Sequence, residues 1–253
     1  IIASLIYTMV KVLELFSGTG SIGKVAKARG YEVVSLDLTL PADIKADINT
    51  WDYKSAYPVG EFDIITASPV CLWWSHLRCS NLGKKLKSLG GEVLTREILE
   101  REINTYGKPM VRKVLEIIEY FQPKYYWIEN PQTGRMKEFL VNLPHYDVDY
   151  CKYADWGYKK RTRFWTNITD FTPKTCNKDC NSIVNGRHRK VLGGGFCIDE
   201  HGNTIYLNTK AKRDKYKHQG KLYKSDTSKD TSKHERYRVP PKLIEDLFDA
   251  CKL

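Results

Sequence analysis

The chain has 253 residues, 42% of them hydrophobic, so it can bury a core large enough for one domain with a smaller attachment. Its 41 Lys and Arg against 30 Asp and Glu leave a formal charge of +11, which favours a polyanionic partner such as nucleic acid. The seven scattered cysteines argue against a secreted disulfide framework, and no stretch predicts a membrane span or a signal peptide, so we expect an intracellular protein that is neither secreted nor membrane-bound.

The first half of the chain alternates strand-like and helix-like patterns. Short apolar runs predict strands, and apolar residues spaced three and four apart predict helices. In chain order, the predicted elements are strand KVLELF (11–16), helix GSIGKVAKARG (20–30), strand YEVVSLD (31–37), strand FDIITAS (62–68), helix PMVRKVLEIIEYF (109–121) and strand YYWIEN (125–130). Strands that alternate with helices indicate an α/β fold with a Rossmann-like, mostly parallel sheet.

Two stretches break this alternation. Residues 76–108 form a long polar segment rich in Lys, Arg and Gly, which predicts a functional or disordered loop. Residues 166–235 predict a small inserted lobe that includes a mobile basic segment. Helical spacing returns in RYRVPPKLIEDLFDAC (236–251), which we expect to pack back on the first domain. The predicted domains are therefore 9–165 with 236–253, and the lobe at 166–235.

A glycine turn follows the first predicted strand. The glycines of SGTGSIG (17–23) satisfy the pattern G-x-G-x-x-G, in which backbone N–H groups approach a ligand at a helix N-terminus. Dinucleotides and S-adenosylmethionine share this geometry. Glu14 would repel a pyrophosphate but suits the cationic amino end of a methionine moiety. Asp37 ends the second strand, where a carboxylate can take two ribose hydroxyls. Asp47 could meet an adenine amino group or be a solvated loop acid.

A thiol, an acid and two cations follow or end predicted strands. Cys71 comes just after FDIITAS, Glu129 lies in YYWIEN, and Arg161 and Arg163 alternate on an extended segment and so point the same way. Ligands of open parallel sheets collect at the carboxyl ends of the strands, so we expect these side chains on one rim. Taken singly, Cys71 could be a buried structural cysteine and Glu129 part of a surface ion pair.

One chemistry needs this set. A thiolate that adds to C6 of a pyrimidine turns the ring into a carbanion equivalent at C5, and a carboxylic acid at N3 stabilises the adduct. Cationic side chains hold the O2 edge and favour ionisation of the thiol. C5 can then take a methyl group from a sulfonium donor, after which loss of the C5 proton and of the thiol releases the product.

Taken in order, these motifs resemble those of the DNA cytosine-5 methyltransferase family. ELFSGTGSIG (14–23) resembles its first cofactor motif, SPVC (68–71) its nucleophile loop, IENP (128–131) its Glu-Asn-Val motif and GYKKRTRFW (157–165) its Gln-x-Arg-x-Arg motif. RYRVPPKLIEDLF lies where the last cofactor motif is expected. The variant loop and short lobe are similar to those of phage and large-virus members.

The resemblance implies a catalytic set and a cofactor set. The catalytic residues it implies are Cys71, Glu129, Arg161 and Arg163. The residues it implies for S-adenosyl-L-methionine are Glu14, Phe16, Ser17, Gly18, Gly20, Ser21, Ile22, Gly23, Asp37, Leu38, Asp47, Ile48 and Pro69. It also implies a monomer that acts on double-stranded DNA in the cytoplasm or nucleus of a host cell. The target base is expected to be flipped out of the duplex. Residues 76–108 are expected to close over the DNA, and residues 166–235 to recognise the target.

Several positions depart from the family pattern. Val70 replaces the second proline before the thiol, Lys159 stands where the family has glutamine, and Pro131 replaces a valine. None of these changes removes a reacting group, so we expect activity. Three alternatives stay open: the same chemistry on tRNA, a nicotinamide-dependent oxidoreductase built on the same glycine turn, and a catalytically inactive DNA-binding relative.

The lobe also contains metal-ligand residue types. Cys176 and Cys180, with His188 and Cys197 downstream, could bind one zinc ion. The spacing is loose and contains no C-x-x-C pair, so the sequence favours ordinary thiols over a zinc site.

Overall fold

The computed structural model of the chain describes residues 9–184, 186–188, 196–198, 203–206 and 237–253. Its strands are β1 (Lys11–Leu15), β2 (Glu32–Asp37), β3 (Ile44–Lys45), β4 (Ile64–Ala67), β5 (Tyr125–Pro131), β6 (His145–Asp149), β7 (Arg161–Thr166), β8 (Ile183–Val184), β9 (Arg187–His188), β10 (Phe196–Ile198) and β11 (Thr204–Tyr206). Its α-helices are α1 (Ser21–Ala28), α2 (Tyr53–Ala56), α3 (His76–Cys79), α4 (Arg96–Glu102), α5 (Lys108–Phe121), α6 (Met136–Phe139) and α7 (Pro241–Ala250). Short 3₁₀ turns lie at Lys87–Leu89 and Tyr150–Lys152, and a π-helical turn at Ile103–Gly107 joins α4 to α5.

Within the described ranges, seven strands form one sheet in the order β3-β2-β1-β4-β5-β7-β6. The neighbours from β3 to β5 pair in parallel, whereas β7 runs antiparallel to β5 and β6 antiparallel to β7. The predicted Rossmann-like, mostly parallel α/β fold is therefore confirmed. Because β1, β4 and β5 run in the same direction, the segments that follow them meet at one edge of the sheet.

The sheet is buried on both faces, since all four residues of β4 and the last four of β1 are buried. Successive residues of a strand point to opposite faces, so Leu13 packs on one side and Val12 on the other. The first face is covered by α5, which is buried through Val111, Val114, Ile117 and Phe121. The second face is covered by α1 and α7. This two-sided burial explains why the strands appear in the sequence as continuous apolar runs.

The C-terminal helix returns to the first domain, as the helical spacing predicts. Leu243, Ile244, Leu247 and Phe248 are buried against the second face of the sheet. Fully burying one such side chain stabilises the fold by about 2 kcal/mol relative to leaving it exposed. Just before the helix, the backbone N–H of Val239 donates to Ser21 Oγ (3.3 Å), so this segment also contacts the start of α1.

The prediction of a loop over residues 76–108 is wrong for the second half of that segment. There α4 continues through the π-helical turn into α5, and Leu94, Leu99 and Ile103 are at most 6% exposed. The signal was the four-residue spacing of Leu99 and Ile103 within a highly charged stretch. At Gly107 a Cβ would lie 3.0 Å from the Trp74 ring, so the helix passes against the segment that follows Cys71.

The strand β6 was not predicted, although its apolar residues Tyr146 and Val148 alternate with charged ones. Beyond β7, Ile168 and Phe171 pack in the same cluster as α7. The assignment of residues 166–235 to a separate lobe stays a prediction, and most of the basic segment predicted there lies at 207–236, outside the described residues. No helix in the described ranges is long and apolar enough to cross a bilayer.

Candidate active site

The glycine turn is held by a buried carboxylate. Glu14, 4% exposed, accepts hydrogen bonds from the backbone N–H groups of Ile22 (3.2 Å) and Gly23 (3.0 Å) at the start of α1. A Cβ on Gly23 would lie 2.7 Å from the Glu14 carboxylate, so this approach requires glycine. Burial raises the pKa of Glu14 to about 7, although the two N–H donors oppose the shift. The acid therefore satisfies two N–H groups that a helix start would otherwise leave without partners.

The backbone of the turn adopts an unusual conformation. Gly18 and Gly20 have φ values of 55° and 64°, in the left-handed region where glycine avoids a steric penalty, and Phe16 shares this conformation at φ 57°. Gly20 is the N-cap of α1. The Ser17 hydroxyl is buried and has no hydrogen-bond partner among the described residues. A tight turn therefore presents one unsatisfied polar group beside a helix N-terminus.

The second and third acids lie next to this turn. Asp37 accepts from the backbone N–H groups of Gly18 (3.0 Å), Thr39 (2.9 Å) and Leu40 (2.8 Å). Partial burial opposes its ionisation, but the N–H donors outweigh it and lower the pKa of Asp37. Asp47 follows β3 and accepts from the backbone and side chain of Asn49.

The remaining predicted cofactor residues differ in exposure. Leu38 is 58% exposed and Ile48 is 2% exposed. Ser21 shares a hydrogen bond with Thr19 in addition to its contact with Val239. Ile48 therefore packs in the core, Ser21 makes polar contacts, and Leu38 is exposed to solvent.

The Cys71 segment is tied to strands on both sides of β4. On one side, the Ser68 N–H donates to the Leu15 carbonyl at the end of β1 (3.3 Å). On the other, the side-chain amide of Asn130 in β5 donates to the carbonyl of buried Pro69 (2.8 Å). Cys71 itself is half-buried, in a turn closed by the Trp74 N–H donating to its carbonyl (3.1 Å). The thiol therefore lies in the loop between the glycine turn and the Glu129 strand.

Both tryptophans beside the thiol pack on protein. Trp74 is 1% exposed and stacks near Phe139, and Trp73 stacks on Tyr106 with ring centroids 4.8 Å apart. The Arg135 N–H donates to the Trp74 carbonyl (2.7 Å), which joins this segment to the chain after β5. Both rings therefore make packing contacts within the protein.

Glu129 lies in a buried polar cluster with Tyr150 and Lys160 that the sequence did not reveal. The Tyr150 hydroxyl donates to its carboxylate (3.1 Å), and Lys160 Nζ lies 3.6 Å from the same oxygen and 4.7 Å from the centre of the Tyr150 ring. Burial and the neighbouring carboxylate raise the pKa of Tyr150 well above its usual value, which keeps the phenol a donor. Tyr150 follows the unpredicted strand β6, which explains why it was missed.

The two arginines form paired interactions with β6. Arg161 makes two hydrogen bonds to Asp149 (2.9 and 2.7 Å), and Arg163 makes two to Asp147 (2.7 and 2.8 Å), each pair lying directly opposite across the strands. The Arg161 side chain is 37% exposed and that of Arg163 is 15% exposed. Bidentate pairs of this kind fix the plane of each guanidinium.

The strand register separates these cations from the acid. Asn130 pairs with Arg163, whereas Glu129 pairs with Phe164, and directly opposite residues share a face of the sheet. Both arginines therefore leave the sheet on the face of Asn130. In the described part of the chain, the cation within 4 Å of Glu129 is Lys160. The side chains expected together on one rim therefore form two separate polar clusters: Glu129 lies in one, and Arg161 and Arg163 lie in the other, on the opposite face of the sheet.

A second cluster of reactive side chains lies beside Asp149. Cys151, Cys176, Cys180 and His188 place one ligand atom each within 4.8 Å of one another. Three of the four are the residues that the sequence suggested as zinc ligands, and Cys151 was missed because it lies outside the lobe. The side chain of Cys197, the fourth suggested ligand, lies outside what the structure describes.

Comparisons with known proteins add the following findings. No family model matches the chain. It is 40% identical over 248 residues to the probable DNA (cytosine-5)-methyltransferase of Frog virus 3 (isolate Goorha), an alignment that covers 95% of this chain and 100% of that protein. Among solved structures, it is similar to the Entamoeba histolytica methyltransferase EhMeth with a TM-score of 0.53 and 13% identity, covering 96% of this chain and 98% of that one, a likeness of fold. For the S. pombe Dnmt2 methyltransferase the TM-score is 0.39 at 15% identity, covering 67% and 52% of the two chains.

Proposed function

The chain belongs to the DNA (cytosine-5)-methyltransferase family, and from this premise we propose that it transfers a methyl group from S-adenosyl-L-methionine to C5 of cytosine in double-stranded DNA. The predicted resemblance to viral members agrees with the viral source of the relative. One structural observation carries the site assignment: hydrogen bonds tie the Cys71 loop to β1 on one side and to Asn130, next to Glu129, on the other. Family membership favours a methyl donor over a nicotinamide.

The residues at the glycine turn fit the proposed cofactor. Ser17 offers a buried hydroxyl that lacks a partner among the described residues, and Asp37 offers a carboxylate at the end of β2. Glu14 would take the cationic amino group, and Phe16, Asp47 and the other predicted positions would hold the nucleoside. When bound, S-adenosyl-L-methionine supplies an electrophilic methyl group on its sulfonium sulfur.

Cys71 is the proposed nucleophile. Its thiolate forms a bond to C6 of the cytosine, the C5–C6 π electrons shift to the C4–C5 bond, and the C4–N3 π electrons move onto N3, which takes a proton from Glu129. C5 is then nucleophilic enough to take the methyl carbon, whose bond to the sulfonium sulfur would break so that the donor leaves as a thioether. A site base or water removes the C5 proton, the sulfur leaves C6 with its bonding electrons, and the N3 proton returns to Glu129. The thiolate and the protonated acid are therefore both regenerated.

The polar groups around Glu129 and the two arginines have different proposed roles. Tyr150 and Lys160 orient the Glu129 carboxylate, which is only 7% exposed. Each guanidinium has five N–H donors and its carboxylate partner takes two, so donors remain for the O2 edge of the base. We assign this edge to Arg161 and Arg163 from the family motif. Both leave the sheet on the face opposite Glu129, and Arg161, at the start of β7, is the more exposed of the two.

The target cytosine has to leave the duplex to reach the buried Glu129. A cytosine stacked in B-DNA cannot present C6 to Cys71, so we propose that the base is flipped into the site. Residues 76–95, which precede α4, are the segment proposed to close over the DNA, and residues 166–235 the proposed target-recognition lobe. The net charge of +11 supports phosphate contacts.

The test is methyl transfer from labelled S-adenosyl-L-methionine to duplex DNA and, in parallel, to tRNA. We expect labelling of DNA and its loss in Cys71→Ser, with the cofactor Kd within a few fold of wild type. Duplexes with 5-fluorocytosine at the target should trap a covalent adduct, because the fluorine cannot leave as a proton does. Labelling of tRNA alone would overturn the DNA substrate, and an adduct that survives Cys71→Ser would overturn the nucleophile.

A further inference from the structure

Three thiols and an imidazole converge beside β6 from separate parts of the chain. Cys151 lies in the 3₁₀ turn after β6, Cys176 and Cys180 in the segment after β7, and His188 in β9. Cys151 and Cys176 are buried, and Cys180 and His188 are half-buried. Thiols this close without a disulfide between them need another reason to be together.

The separations are those of ligands around one tetrahedral ion. His188 Nε2 lies 3.2 Å from Cys151 Sγ, 3.5 Å from Cys176 Sγ and 3.5 Å from Cys180 Sγ. Zn–S bonds of about 2.3 Å and Zn–N bonds of about 2.0 Å at tetrahedral angles place nitrogen and sulfur about 3.5 Å apart. The nitrogen therefore already has the spacing from the three sulfurs that a central ion would impose, and all four ligand atoms lie within 4.8 Å of one another.

The turn between the first two lobe thiols is built to hold a thiolate. Lys178 has φ 68°, a left-handed conformation that is uncommon outside glycine. In this conformation the backbone N–H groups of Lys178 and Asp179 lie near the Cys176 sulfur. The turn is held in place because Asp179 accepts from the Asn177 N–H and pairs with Lys152.

The surroundings balance the charge. Three thiolates and a neutral imidazole around a divalent ion leave one net negative charge, and Lys152 and Lys159 lie nearby. Lys159 Nζ donates to the Cys176 carbonyl (3.1 Å) and lies 3.4 Å from Asp149. With Arg161, which also pairs with Asp149, three cations face the two carboxylates Asp149 and Asp179. The one positive charge that remains offsets the negative charge of a loaded site.

We propose that Cys151, Cys176, Cys180 and His188 bind one Zn²⁺ as a closed structural site. Four protein ligands leave no position for a substrate, which separates this site from the chemistry at Cys71. The site fixes the segment after β7 to β6. Because the Cys176 N–H also donates to Asp149 (2.7 Å), which holds Arg161, the ion stabilises the strand pair that carries the arginines. The proposal does not rest on the proposed function.

The first test is metal analysis of the purified full chain. We expect one zinc per chain by mass spectrometry, with no stoichiometric iron. Replacement by Co²⁺ should give the visible ligand-field and thiolate charge-transfer bands of a tetrahedral three-sulfur site. A folded wild-type chain, prepared with zinc present, that contains no stoichiometric zinc and shows no such bands would overturn the proposal without reference to any variant.

Variants then identify the ligands. Cys151→Ser, Cys180→Ser and His188→Ala should each weaken zinc binding at least about tenfold in chelator competition, whereas His188→Cys should restore it. Cys79→Ser and Cys197→Ser are the matched controls and should keep one zinc per chain. If Cys197→Ser lost the metal and Cys151→Ser kept it, the ligand set would be the one that the sequence suggested, and this assignment would be wrong.

Discussion

The glycine-turn region (residues 14–40) and the β5–β7–β6 region (residues 129–163) are held together by different kinds of hydrogen bonds. In the first, backbone N–H groups donate to two carboxylates, Glu14 and Asp37. In the second, side chains bond to side chains, as Tyr150 does to Glu129. A loop that fixes backbone donors by its glycine spacing is formed by consecutive residues, so its pattern can be recognised in the sequence. A side-chain network depends on which strands become neighbours.

The same difference assigns separate roles to the two regions. The backbone cradle is proposed to hold the cofactor, and the side-chain network to hold and activate the base. Substitutions in the side-chain network should therefore reduce turnover and leave cofactor binding unchanged, and substitutions in the cradle should alter cofactor binding first.

The largest effect expected from this separation is that of Glu129→Gln. The amide keeps the size of the side chain but cannot pass a proton to N3, so we expect kcat to fall about 10²- to 10³-fold. The cofactor Kd, measured by calorimetry, should stay within a few fold of wild type. Glu138→Gln, at an exposed acid paired with Arg135, is the matched control and should leave both quantities unchanged.

A parallel loss of cofactor affinity in Glu129→Gln would break the comparison, because it would mean that the two regions form one cooperative unit. Retained turnover would instead remove Glu129 from the proton transfer.

The sequence predicted the glycine-turn region more fully than the β5–β7–β6 region. The turn, the strands on either side of it and α1 follow from short-range patterns, and Gly18 and Gly20 have the positive φ that such a turn requires. Lys160 and Tyr150 could not be assigned, because the contact with Glu129 depends on the antiparallel placement of β7 and on the unpredicted β6. Cys151 was missed for the same reason.

A smaller effect concerns the pH dependence of the glycine-turn region. The pKa of Glu14 is raised to about 7, so the folded state holds a proton that the unfolded state releases above about pH 4.5. The stability that this proton supplies is present at low pH and is lost as the pH rises toward 7, by up to about 3 kcal/mol. We expect this decline in urea unfolding of wild type and its absence in Glu14→Gln.

The control for this prediction is Glu32→Gln, which removes a half-exposed acid on β2 and should keep the wild-type decline. Cofactor affinity adds a second measurement. If Glu14 takes the cationic amino group, binding favours the ionised acid, so affinity should rise between pH 6 and 8 in wild type and not in Glu14→Gln. A flat affinity profile in wild type would leave Glu14 with the structural role alone.

The smallest effect expected is that of Tyr150→Phe. It removes one hydrogen bond to the Glu129 carboxylate, worth about 1.5 kcal/mol, and so should lower kcat about tenfold with the KM for DNA unchanged. Tyr153→Phe is the matched control, because its hydroxyl is also largely buried and accepts from the Lys174 N–H, away from Glu129. It should lower stability by a similar amount and leave kcat unchanged.

A double-mutant cycle separates positioning of the acid from general support of the fold. If Tyr150 acts through Glu129, then Tyr150→Phe should have no further effect on kcat in the Glu129→Gln background. An additive loss would mean that the hydroxyl acts independently of the acid. In that case Tyr150 and Glu129 would contribute to kcat separately. The side-chain network would then differ from the glycine-turn region in its position in the fold, and not in how its residues act together.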